Sequence, residues 1–101
     1  MSGKLVVEIE RDLEELIPLF MRSREKDMAG LDAGLVSGDF TAMRLIGHSM
    51  KGAGGAYGFA PVSEIGALIE TAALTGDAAA ITVQLALLRD YFARIDIRYV
   101  G

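Results

Sequence analysis

The stretch GDFTAMRLIGHSMKGAGGAYGFAP, residues 38–61, decides how this chain of 101 residues is read. Gly38 followed by Asp39 is a helix stop followed by an N-cap, and Pro61 opens a further helix. The residues between them, from about Thr41 to Ala56, therefore form one helix. With His48 at zero on a helical wheel, Ile46, Met50, Ala53 and Tyr57 fall within about 40° of the opposite direction and make an apolar stripe. His48, the only histidine of the chain, thus points away from the core. Arg44, Lys51, Gly52 and Gly55 lie within about 60° of it, with Leu45 at the edge of the same face. An imidazole between two cations and two residues without side chains suits an incoming anion.

Residues 47–58 hold five glycines, although each costs a helix interior about 1 kcal/mol relative to Ala. Two structural readings stand beside a functional one: the helix ends near Gly52, or Gly47 and Gly54, on the flanks of the stripe, allow tight helix packing. Gly52 and Gly55 bracket His48 on the outward face, where close approach of another macromolecule accounts for them. Lys51, three residues after His48, sits on the neighbouring turn, from which its ammonium reaches a phosphoryl group on the imidazole. Arg44 can do the same from the other side.

Working outward, the same punctuation gives three more helices. Before Gly38, Leu13, Ile17, Phe20, Met28, Leu31 and Leu35 share one narrow face, and Pro18 belongs in the first turn of a helix preceded by a short turn over residues 12–17. After Pro61 a third helix runs from about Val62 to Thr75 with Ile65, Leu68, Ile69 and Ala72 inward. Gly76 and Asp77 repeat the stop and cap, and a fourth runs from about Ala78 to Ile95 with Ile81, Leu85, Leu88, Tyr91, Phe92 and Ile95 inward. Short connections make sequential neighbours run in opposite directions, so the expected fold is all-α, an antiparallel up-and-down four-helix bundle. Residues 5–9 and 95–100 are β-prone extended tails, which either pair as a short ribbon or lie separately on the bundle.

Composition narrows the function. The length fits a single domain over residues 1–101. Half the residues are apolar, there is no cysteine, and the formal net charge is −4. Nothing here forms a thiolate site, a disulfide framework or the basic footprint of a nucleic-acid binder. No apolar run approaches the roughly 20 residues that span a bilayer, so a cytoplasmic, free-standing monomer is expected. No Gly-rich phosphate loop or clustered carboxylate pair suggests a nucleotide-consuming enzyme or a hydrolase.

His48, Lys51, Gly52 and Gly58 reproduce the His-x-x-Lys-Gly-x-x-x-x-x-Gly signature of histidine-containing phosphotransfer domains, which the chain resembles over roughly residues 13–95. Ser49, the Gly38-Asp39 pair and Ile69-Glu70 share in the likeness; Met50 stands where the family commonly has Leu, on the buried side. The resemblance implies a phosphocarrier without an ATP site of its own. His48 accepts a phosphoryl group through Nε2 from a receiver phospho-aspartate, Lys51 stabilises it, and Gly52 leaves room for the receiver. Gly58, Met50 and Tyr57 are structural. The partners implied are receiver domains of response regulators or of a hybrid sensor histidine kinase, and the receiver brings the Mg²⁺; the chain itself binds no cofactor. The alternative is a non-phosphorylated helical docking module.

In an antiparallel pair joined near Gly38, a residue of the first helix lies level with the one whose number complements its own to about 76. This sets Arg24 and Asp27 near the height of His48. Arg24 interrupts an apolar stripe, so the bundle is expected to open to solvent there, with Arg24 and Asp27 joining the docking surface.

Overall fold

The computed structural model describes residues 3–101. Strand β1 (Leu5–Glu10) leads through a 3₁₀ turn (Arg11–Leu16) into four helices, α1 (Ile17–Ser37), α2 (Phe40–Tyr57), α3 (Ala60–Leu74) and α4 (Ala78–Arg94), and strand β2 (Ile95–Val100) closes the chain. The protein is a helical bundle with small terminal strands.

The punctuation works as the residue types dictate. Asp39 and Asp77 cap α2 and α4, their carboxylates accepting from Ala42 N and Ala80 N at 3.0 Å each, which satisfies helix N–H groups that have no intrahelical partner. Gly38 and Gly58 end α1 and α2 in the left-handed region, at φ 72° and 87°, where any other residue would carry a steric penalty. Pro18 sits in the first turn of α1 and Pro61 in that of α3.

The core runs between the helices through Phe20, Leu31, Met43, Met50, Ile69, Ile81 and Leu88, all buried. Contacts between α1 and α2 join falling numbers to rising ones. Gly30 faces Ile46 and Gly34 faces Met43, and the rings of Phe20 and Tyr57 lie 5.2 Å apart. Phe59, between α2 and α3, is fully buried and stacks on Phe20 at 4.6 Å. Arg89 of α4 pairs with Asp32 of α1.

The extended tails do pair, and they pair in parallel, from Leu5↔Ile95 to Glu10↔Val100. Leu5, Val7 and Ile9 alternate inward with Ile97 and Tyr99 onto the core, while the charged residues of both strands face solvent. Arg94 donates to the carbonyl of Gly3 at 2.8 Å, and Arg11 to those of Gly101 and Tyr99, each at 3.2 Å. Both ends of the ribbon are thereby tied down.

Two expectations are corrected. Leu68, expected to face inward, is 53% exposed, because α3 is turned so that Gly66 meets α2; Ile65, Ile69 and Ala72 are buried as expected, and Val62 and Ala73 join them in the core. The fourth helix stops at Arg94, since Ile95 already has strand geometry, with φ −70° and ψ 142°.

Candidate functional site

The site begins with three glycines. A Cβ on Gly47 would lie 2.7 Å from Glu70 N and 2.8 Å from Gly66 O; one on Gly54 would lie 2.4 Å from Ser63 N, and one on Gly66 2.6 Å from Lys51 N. The backbones of α2 and α3 therefore touch, which only residues without Cβ permit. The Ser63 hydroxyl donates to Lys51 O at 2.7 Å across the same seam. The tight-packing reading of Gly47 and Gly54 is right, and α2 continues past Gly52 to Tyr57.

The seam sets Glu70 of α3 beside the outward face of α2. One carboxylate oxygen lies 2.9 Å from His48 Nδ1, and the other accepts from Lys51 Nζ at 2.9 Å. These contacts hold Glu70 below the ordinary carboxylate pKa, the Lys51 hydrogen bond acting most strongly and the His48 bond next. An ionised carboxylate only accepts, so Nδ1 is the nitrogen that carries the proton. In the neutral ring the lone pair then belongs to Nε2. His48 is 66% exposed whereas Glu70 is 19% exposed. The imidazole is thus gripped from the protein side and open on the other.

Around it the open face contains the residues expected there. A Cβ on Gly52 or Gly55 would meet nothing within 4 Å, Leu45 is exposed and Arg44 half-buried. Met50 is fully buried, and Tyr57 packs on Phe20. Lys51 is held by Glu70 and reaches the imidazole through that shared carboxylate.

Glu70 is the residue whose part went unseen in the sequence. Its place in the resemblance was visible, but not its contact with His48, which depends on how closely α2 and α3 approach. The signal was the pair Gly47 and Gly66, one small residue on each helix.

Arg24 and Asp27 differ from expectation. Arg24 is 6% exposed, its Nε donates to Asp27 at 2.7 Å, and its guanidinium lies 4.8 Å above the Phe20 ring. The bundle does not open there: the carboxylate and the aromatic face together accommodate the charge that would otherwise need water. Burial raises the Asp27 pKa, against the opposing pull of Arg24.

Among the described residues no group of acidic, histidine or cysteine side chains is arranged to hold a metal ion, and no helix is long and apolar enough to cross a membrane. The chain matches the family model for the Hpt domain over residues 6–97. It belongs to the Hpt domain family. No curated protein and no solved structure matches it. Hpt domains are phosphocarrier modules of two-component phosphorelays, working by histidine phosphotransfer and without an ATP site of their own. In this Hpt domain the imidazole held by Glu70 belongs to the only histidine of the chain.

Proposed function

We propose that the protein is a phosphorelay intermediate in which His48 accepts a phosphoryl group from the phospho-aspartate of a receiver domain and passes it to another receiver. The observation that carries this reading is the Nδ1 contact with Glu70 on an exposed ring. The Nε2 lone pair attacks phosphorus, the N–P bond forms as the aspartyl O–P bond breaks, and the aspartate departs as carboxylate. The ring gains positive charge, which the Glu70 carboxylate offsets while Nδ1 keeps its proton. Such transfer needs positioning and charge stabilisation more than covalent machinery on the carrier.

Lys51 neutralises the transferred group, and Gly52, Gly55, Leu45 and Arg44 form the surface on which the receiver lies. We assign Asp27 to the margin of that surface, with Arg24 acting by holding its carboxylate in place. The receiver domain, on a response regulator or a hybrid histidine kinase, supplies the Mg²⁺. We read the helices as an antiparallel up-and-down bundle, supported by the opposed numbering of the α1–α2 and α2–α3 contacts, and the protein as a single cytoplasmic module acting as a monomer without nucleic acid.

The test is incubation with a panel of phosphorylated receivers, comparing the native chain with His48→Gln. Label is expected on the native chain and absent from the variant. Transfer that persists in the variant overturns His48 as the acceptor; a native chain that binds receivers but takes no label from any of them overturns the carrier in favour of a non-phosphorylated docking module.

A further inference from the structure

A second surface lies at the other end of α2. Gly58 follows His48 by ten residues, about 15 Å along the helix axis, and there a groove of about 370 Å³ opens between β1 and the α2–α3 corner. One wall consists of the successive residues Leu5 to Glu8. Side chains of a strand alternate between its faces, so four in a row line a groove only when the strand presents its edge. The opposite edge of β1 is paired with β2. Among the described residues no backbone hydrogen bond outside the ribbon reaches β1. The facing wall, Gly58, Ala60 and Pro61, offers little to pair with it, since Pro61 has no N–H.

Two side chains at the groove also lack partners. Tyr91 lines it and is 7% exposed, yet its hydroxyl is buried with no hydrogen-bond partner among the described residues. A buried polar group normally has one. Glu8 lies across the ribbon from Arg98, but Arg98 donates with both Nε and Nη2 to Asp96, at 3.1 and 2.8 Å. The Glu8 carboxylate makes no ion pair among the described residues. Beside it Val6 is 60% exposed.

We propose that this groove binds an extended segment of a partner protein, which adds to the free edge of β1 as a third strand and sets a basic residue against Glu8 and an apolar one against Val6. Strand addition draws affinity from main-chain hydrogen bonds and specificity from alternate side chains. The intervening residue turns inward over Ala60 and Pro61, towards Tyr91. Bound in this way, a partner leaves His48 free, so the groove can tether a protein while the imidazole exchanges its phosphoryl group, raising the local concentration of the tethered partner.

The probe is the peptide acetyl-Thr-Lys-Ala-Val-Ala-Lys-Thr-amide, which presents Lys and Val two residues apart in either strand direction, titrated into ¹⁵N-labelled protein. Saturable shifts are expected at the amides of residues 5–8, 58 and 60, with those around His48 unmoved. Glu8→Lys should weaken binding about threefold or more, and a peptide with Glu in place of both Lys should regain it on that variant. Methylating two adjacent backbone nitrogens of the peptide should abolish binding. Absence of saturable shifts, shifts centred elsewhere, or indifference to Glu8→Lys or to backbone methylation overturns the proposal. Shifts at residues 5–8 that depend on protein concentration without peptide overturn it in favour of a second copy. None of these readouts depends on phosphoryl transfer.

Discussion

The seam between α2 and α3 and the seam between α1 and α2 both contain glycines, but these do different things. At Gly47, Gly54 and Gly66 the space a side chain would need is filled by backbone of the opposite helix; at Gly30 and Gly34 it is filled by the side chains of Ile46 and Met43. The first seam is rigid by construction, and it is the one that brings Glu70 to His48. The second packs the core through side chains that can shift. The site therefore rests on the seam with the least freedom to adjust.

The largest effect should come from adding one carbon to the rigid seam. Gly54→Ala places a Cβ 2.4 Å from Ser63 N, so even after the gain of about 1 kcal/mol in helix propensity a net loss of about 2 kcal/mol is expected, read as a lower urea midpoint with an unchanged slope. An unaltered midpoint would show that this seam yields as readily as the other. Gly47→Ala should couple a loss of stability to a loss of phosphoryl acceptance, because the Cβ pushes directly on Glu70 N.

Glu70→Gln separates the role of the seam from that of the carboxylate it positions. Phosphoryl acceptance should fall on the order of tenfold, equivalent to about 1.4 kcal/mol of transition-state stabilisation, while the unfolding midpoint barely moves. A parallel fall in both would make Glu70 a structural residue only.

Acidification gives a milder version of the same test. The folded-state pKa of Glu70 lies below its ordinary value of 4.5, so its contribution is complete above that value and fades as pH drops through the lower, folded one. The ¹⁵N signature of the neutral His48 ring should be that of a protonated Nδ1 and a bare Nε2, and the Lys51–Glu70 contact should disappear only at pH below about 4.5. Loss of the contact well above that pH would mean that Lys51 and His48 do not stabilise the anion.

The smallest effect is expected at the compliant seam. In Gly30→Ala the new Cβ meets the Cδ1 end of Ile46 at 2.8 Å; one rotation of that side chain relieves it, and stability should stay within about 1 kcal/mol of native, the propensity gain offsetting the repacking. A drop as large as that of Gly54→Ala would erase the distinction between the seams.

Much of the fold is legible where local chemistry leaves little choice. The helix boundaries follow from Gly38-Asp39, Pro61 and Gly76-Asp77, since cap hydrogen bonds and left-handed φ values are properties of a few neighbouring residues. The outward direction of His48 follows from periodicity alone. What stays hidden depends on how elements meet. Leu68 has the spacing of a core residue but loses its place because Gly66 turns α3, and Arg24 seems to need water because its partners Asp27 and Phe20 are seen only once the helix is built. The alternation in Ile95-Asp96-Ile97-Arg98 tells which side chains share a face, yet nothing in it distinguishes parallel from antiparallel pairing. The contact of Glu70 with His48 stays hidden for the same reason.

The parallel ribbon has a mechanical consequence. The chain enters at the start of β1 and leaves at the end of β2, so tension between the two ends slides the strands past one another instead of peeling them apart. All the hydrogen bonds from Leu5↔Ile95 to Glu10↔Val100 then bear the load together, and the bundle behind them is shielded from the pull until the whole ribbon gives way.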